Sequence, residues 1–328
     1  MTILVTGSAG HLGEALMRTL IETSDQPIGI DIKKSDFTDE VGSITDRAFV
    51  KRCMRGVHAV LHTATLHKPH IVTHTRQDFV DTNITGTLNL LEEATAAGVG
   101  DFVFTSTTSV FGRALTPPPG ASAAWITEDV VPVPKNIYGV TKLAAENLCE
   151  LFHRIRGLSC LILRTSRFFP DPDDRKETRE KYADDNVKIN EFLYRRADIA
   201  DVVDVHLLAL QKVLTIGFGR YIVSATTPFT TADLVGLRTD AAAVVGGRVP
   251  GYAPVYAARG WSMFSSIDRV YDNARARRDL GWRPVFDFAR VVQDLEAGGP
   301  AGSALSRAIG SKGYHGEVFA DGPYPVDH

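Results

Sequence analysis

The chain has 328 residues, 44% of them hydrophobic and 23% charged, with a formal charge of −3 and a pI near 6.4. That balance supplies a sizeable core, excludes a globally disordered chain, and offers no basic stripe to nucleic acid. Its three cysteines, Cys53, Cys149 and Cys160, form neither a CxxC pair nor a zinc pattern; with no apolar run near the ~18–20 residues of a membrane span and no signal peptide, the expected location is the reducing cytoplasm.

In chain order, Thr2–Thr6 is short, β-branched and apolar, and reads as a buried strand. Gly7-Ser8-Ala9-Gly10-His11-Leu12-Gly13 follows at once. Residues 14–22 carry a helical apolar pattern, and residues 27–31 form a second strand ending in Asp31. In such a unit Gly7 makes the tight turn, Gly10 leaves room for a pyrophosphate, and Gly13 lets the helix lie close to the sheet, its N-terminus facing the negative charge. The spacing is GxxGxxG, not the generic GxGxxG. Asp31 would accept both hydroxyls of an adenosine ribose and repel a 2′-phosphate, which favours NAD over NADP; Lys33 and Lys34 just beyond could pair with such a phosphate instead.

Residues 57–64 and 101–104 read as further strands, the latter followed by a hydroxyl run at 105–109, and 158–163 as another. Residues 81–97 and 136–154 read as long helices. Apolar strands alternating with helices predict an α/β protein with a Rossmann-type doubly wound parallel sheet. The expected division is a dinucleotide-binding domain over 1–165, to which 197–225 returns, and a smaller, mostly helical substrate-binding lobe over 166–196 and 226–328. Residues 171–188, crowded with alternating charge, read as a flexible cap or loop over the active-site mouth. Residues 198–214 read as a helix, 219–224 as a strand, 246–254 as a loop, and 310–328 as a tail with Tyr314, Phe319 and Tyr324.

Tyr138 and Lys142 lie four apart in a predicted helix and so share a face. A nearby ammonium favours phenolate over phenol, making the tyrosine a usable base. Thr107, just after a strand, could donate a hydrogen bond to a substrate oxygen. Together the three suit removal of an alcohol proton while hydride leaves its carbon.

These segments in this order resemble the extended short-chain dehydrogenases/reductases of the NAD-dependent epimerase/dehydratase family. The resemblance rests on TGSAGHLG at 6–13, HTAT at 62–65, DTNITGTLNLLEEA at 81–94, STTSVFG at 106–112, YGVTK at 138–142, LRTSRFF at 163–169, RADIADVV at 196–203 and ARRDLGWRP at 276–284. It implies NAD as cofactor, cradled by Gly7, Gly10 and Gly13 with backbone contacts from His11 and Leu12. Asp31 and Ile32 would hold the adenosine ribose, Ser43 and Ile44 the adenine, and Thr63, Ala64 and Thr65 would lie along the cofactor. Asn83 would organise the active-site backbone next to it. Thr107, Tyr138 and Lys142 match the catalytic residues, and Lys142 would also hold the nicotinamide ribose. The resemblance further implies a homodimer through the helices near 83–97 and 139–155, with Leu88, Leu91, Leu148, Leu151 and Phe152 at the interface.

Departures from the family pattern bear on the substrate. Dehydratases of the family carry an acid pair after the catalytic threonine; Thr108 and Ser109 stand there, which disfavours dehydration. Only residues 168–195 intervene before the arginine-rich strand, which argues for a small substrate such as a sugar, sugar acid or polyol. His67 and Thr108 are candidate substrate contacts, as are Arg167, Arg195 and Arg196 toward an anionic group; salt bridging to the acid-rich segment 171–185 is the alternative, equal in weight for Arg167 and preferred for Arg196. No metal site is expected from His67, His70 and His74, since no fourth ligand or supporting shell accompanies them. The expected activity is an NAD-dependent oxidoreductase on a secondary alcohol of a small carbohydrate-like substrate. An NAD-dependent sugar or nucleotide-sugar epimerase is the alternative, and a non-catalytic NAD-binding regulatory protein a third reading.

Overall fold

The computed structural model describes residues 1–313 and 319; Tyr314 and Tyr324 of the tail lie outside the described residues. The chain opens with β1 (Thr2–Thr6), α1 (His11–Ile21), β2 (Gln26–Asp31), β3 (Glu40–Val41), α2 (Arg47–Cys53) and β4 (Ala59–His62). One helical run follows, α3 (Arg76–Phe79), a π-helical turn (Val80–Thr85) and α4 (Gly86–Ala97), and then β5 (Asp101–Thr107) and β6 (Ala124–Ile126). Next come α5 (Ile137–Arg156), β7 (Ser159–Thr165), α6 (Lys176–Lys181), α7 (Asp184–Glu191), α8 (Ile199–Ile216) and β8 (Phe218–Val223). The remainder is α9 (Leu234–Thr239), α10 (Ala241–Arg248), α11 (Tyr252–Arg259), β9 (Arg269–Tyr271), α12 (Ala274–Asp279), α13 (Phe288–Glu296) and α14 (Ala304–Ile309).

Among the described residues, seven strands form one parallel sheet in the order β3-β2-β1-β4-β5-β7-β8. The order reverses between β1 and β4, where ligands of such sheets bind beyond the strand ends. Apolar strands bury both faces. On one, Leu16 and Leu20 of α1 and Val202 and Leu210 of α8 pack on Ile3, Val5 and Leu163. On the other, Phe49 of α2, Leu90 of α4 and Cys149 of α5 pack on Leu4, Phe102 and Ile162. A third core away from the sheet joins α7, α9, α10, α11 and α13, with Phe192, Tyr256 and Phe288 inside it.

Two of the family-like segments meet here as a structural staple. Asp201 of α8 accepts the backbone N–H groups of Val285 (2.8 Å) and Phe286 (2.9 Å), while the fully buried Trp282 donates from Nε1 to Asp201 O (3.1 Å). Burial pushes the Asp201 carboxyl up to about 6.

Several expectations change. The helix expected over 81–97 begins at Arg76 and passes through the π turn that holds Asn83. The hydroxyl run expected after β5 lies largely inside it, up to Thr107. Residues 171–188 are not a plain loop: they hold α6 and part of α7, and Asp171, Asp173 and Asp174 are buried. Asp173 pairs with Arg167 and Arg195, Asp174 with Lys68, and Asp171 lies against His11 and Ser311. The loop expected over 246–254 gives way to α11 at Tyr252, with Pro254 in the first helical turn, where its missing N–H costs nothing. Of the proposed interface residues, Leu91 and Phe152 are core, and Leu88 and Leu148 pack against it; Leu151 is exposed. Among the described residues, no helix is long and apolar enough to cross a membrane.

Candidate active site

A cleft of about 990 Å³ opens at the carboxyl ends of the strands. One end is built by the β1–α1 turn. Gly7 takes φ +73°, and a Cβ on Gly13 would stand 2.0 Å from Gly7 O, so the turn and the start of α1 are pressed together. A Cβ on Gly10 would meet only Gly7 O, at 3.2 Å; that position faces the cleft. The Asp31 carboxylate is fixed at the end of β2 by the N–H groups of Ala9 (3.0 Å) and Lys33 (2.8 Å). His11, Leu12, Ile32, Ser43, Ile44, Thr63, Ala64 and Thr65 also line this end. Thr6 Oγ1 receives the N–H groups of Thr63 and Ala64, each at 3.1 Å, which ties the end of β4 to β1.

Asn83 does not line the cleft. It is 2% exposed and braces the wall from behind. Its Oδ1 accepts from Leu66 N and Thr65 Oγ1 (both 2.9 Å), while Nδ2 donates to Leu66 O (2.9 Å) and Thr141 Oγ1 (3.0 Å). It thereby clamps the 65–66 backbone to α5. His62 is likewise structural, buried between Thr6 Oγ1 (2.8 Å) and Thr87 Oγ1 (3.0 Å).

The middle of the cleft holds Thr107, Thr108 and Tyr138. Asn136 caps α5 by accepting from Gly139 N (3.0 Å), and the absent side chain of Gly139 lets the helix start against Ser109 O. Tyr138, in the first turn, is thus set beside Thr107, whose Oγ1 accepts from Ser109 N (3.1 Å). Burial pushes the phenol up to about 12, opposed by a hydrogen bond with Thr107. Lys142 lies in the back wall, with Nζ donating to Thr105 O (2.6 Å) and seated 4.0 Å from the Phe104 ring centroid, and burial lowers it to about 7. Its Nζ is thus engaged by β5.

Beyond Tyr138 the cleft is lined by His67, Arg167, Arg195 and two residues the sequence did not single out, Arg269 and Tyr271. The His67 ring lies edge-on to that of Tyr138, with centroids 6.5 Å apart. Arg167 pairs with Asp173 (2.8 Å) and Glu191 (3.4 Å), and Arg195 with the same two acids (3.0 and 2.6 Å). Arg196 is held by Glu191 (2.8 Å) and faces away from the cleft. Three guanidinium groups hold the fully buried Glu191 carboxyl down at about 2 although burial works the other way. Arg269 comes from a three-residue strand paired with β6 and stacks over Tyr194 and Tyr271. No local signal marked it, because only the tertiary fold carries β9 to the cleft. Among the described residues no group of His, Cys, Asp and Glu side chains is arranged to hold a metal ion.

With this geometry in view, comparison with known proteins is consistent along the chain. The sequence profile described as the NAD dependent epimerase/dehydratase family matches residues 3–222. A dTDP-glucose 4,6-dehydratase of Streptomyces antibioticus is 27% identical over 89% of this chain and 90% of its own. A UDP-glucose 4-epimerase of Azospirillum brasilense is 26% identical over 92% of this chain and 96% of its own. Among solved structures, a short-chain dehydrogenase/reductase superfamily protein from Agrobacterium tumefaciens with bound NAD superposes with a TM-score of 0.65 at 23% identity, covering 90% of this chain and 96% of that one.

Proposed function

The chain belongs to the NAD-dependent epimerase/dehydratase family, and on that premise we propose that it is an NAD-dependent epimerase of a sugar or nucleotide sugar. The observation that carries this is a single cleft running from Asp31 through the glycine turn and Tyr138 to Arg195 and Arg269, so that dinucleotide and substrate share one chamber. Its volume is at the upper end for ligand pockets. Similarity to an epimerase over 92% of this chain and 96% of that one supports the epimerase reading over the dehydrogenase expected above. Thr108 and Ser109, in place of an acid pair, leave no general acid there for eliminating water.

The residues fit the cofactor. Gly10 leaves a cradle open to the cleft, α1 points its N-terminus at it, and Asp31 waits at the end of β2. When bound, oxidised NAD would supply the two-electron acceptor for hydride. Tyr138 takes the substrate hydroxyl proton and later returns it to the same oxygen; Thr107 donates a hydrogen bond to that oxygen. Lys142 anchors α5 to β5 through Thr105 O and so sets the reach of Tyr138. Arg195 and Arg269 face the anionic part of the substrate, the charge of Arg195 tempered by Asp173 and Glu191 and that of Arg269 by Asp268.

The test is to incubate the protein with NAD and a panel of nucleotide sugars, sugars and sugar acids, following product stereochemistry and reduced nicotinamide together. An inverted stereocentre without net NADH is expected. Stoichiometric NADH with an oxidised product would instead make the protein a dehydrogenase. Asp31→Ala is expected to weaken NAD binding about tenfold, the worth of a charge-assisted hydrogen bond to the ribose, and to narrow the gap to NADP. Titration with both dinucleotides reads this, and an unchanged NAD affinity would remove Asp31 from the site.

A further inference from the structure

Residues 310–313 cross the cofactor end of the cleft. After α14 the chain turns at Gly310 (φ +59°) and passes over the start of α1. The Ser311 hydroxyl donates to the carboxylate of Asp171, in the segment after β7. Lys312 N donates to His11 Nε2 (3.3 Å), and the Lys312 ammonium pairs with Glu14 in the first turn of α1. His11 Nε2 itself lies 3.5 Å from Asp171 Oδ2. Lys312 and Gly313 line the same cleft as Gly7, Gly10 and Gly13. The segment is therefore fastened on both banks, to α1 on one side and to the post-β7 segment on the other.

The charges explain why a lysine stands there. The N-terminus of α1 favours an anion, but the Glu14 carboxylate, only 9% exposed, sits in its first turn and would repel one. Lys312 and Arg18 pair with that carboxylate and offset its charge, and Lys312 itself lines the cleft. Contacts of this kind, partly open to water, are weak one by one, so the segment can lift without unfolding what lies beneath.

We propose that residues 311–313 are a strap over the pyrophosphate of the bound dinucleotide, with Lys312 as its charged contact, and that cofactor release requires the strap to lift. This rests on the reading that the dinucleotide lies along the glycine turn. It suits an epimerase, which must retain its cofactor between the two halves of each turnover.

The experiment uses the full chain loaded with NADH and follows cofactor fluorescence as excess NAD displaces it. Lys312→Ala is expected to release NADH about tenfold faster, the worth of one charged contact, since such losses fall mainly on dissociation. Lys312→Arg restores the slow rate to within about threefold, because the charge is kept. Without dinucleotide, Lys312→Ala melts with the wild type, as expected for a partly exposed ion pair. Wild-type release from Lys312→Ala, or from Ser311→Ala/Lys312→Ala together, overturns the strap. So does a fall in melting temperature as large without dinucleotide as with it, which would make Lys312 a residue of the fold. Failure of the wild type to bind NADH at all would sink the reading of the cleft itself, and the strap with it.

Discussion

Tyr138→Phe lowers kcat by about a thousandfold, the usual worth of a positioned acid–base group, while the protein keeps its melting temperature and its affinity for NAD. The ring is 9% exposed and stays packed at the start of α5, so phenylalanine fills the same space and removes only the hydroxyl. What remains is Thr107, whose Oγ1 accepts from Ser109 N and can donate to a substrate oxygen. A phenol pushed up to about 12 is protonated at rest. Before it can take the substrate's proton the phenol must release its own to solvent, which raising the pH favours, so wild-type kcat is expected to climb with pH below that value. Tyr138→Phe loses this climb together with the rate. A steady-state pH profile of both proteins decides the matter: kcat within about tenfold of wild type, or a climb that survives the substitution, removes Tyr138 from the chemistry.

The cofactor end of the site was legible because its determinants are local. A strand, a glycine turn, a helix and an acid-ended strand lie within thirty-one consecutive residues, and each obeys short-range rules of turn geometry and burial. The doubly wound sheet was legible for the same reason, since apolar strands alternate with amphipathic helices. The far end was not. Arg269 reaches the cleft on a strand that pairs with β6 across more than a hundred residues, and Lys312 arrives from the other end of the chain. Lys142 shows a subtler limit. Helical spacing correctly put it on the face of Tyr138, but the direction of its ammonium was decided by Thr105 O and the Phe104 ring, which belong to β5. Residues 171–188 read as a flexible cap or loop because alternating charge carries no helical apolar pattern, although pairing of their acids with Arg167 and Arg195 was an alternative the charge pattern offered. Their partners, Lys68, Arg167 and Arg195, lie elsewhere in the sequence.

Glu191, which no sequence pattern marked, carries the second large effect. Glu191→Gln costs about 3 kcal/mol at pH 7, in the range for breaking a buried ion pair from one side. The same figure follows from linkage. The folded-state carboxyl is held at about 2, against about 4.3 in an unfolded chain, and each tenfold difference in proton affinity between the two states is worth about 1.4 kcal/mol. Because the folded value is depressed, the stabilisation is fully present above the unfolded value. It is lost as the pH falls from there through the folded value. Glu191→Gln and the wild type therefore differ most at neutral pH and converge toward pH 2, which urea unfolding of the pair across that range would reveal. A gap that stays constant with pH would mean the glutamate acts through packing and not through charge. The substitution also unbalances the substrate end of the cleft. Glu191 pairs with Arg167, Arg195 and Arg196 at once, so without it the two arginines on the cleft wall lose one of the two acids they share and keep Asp173. Their stronger net charge tightens anionic substrates and loosens their positioning, lowering KM and kcat together.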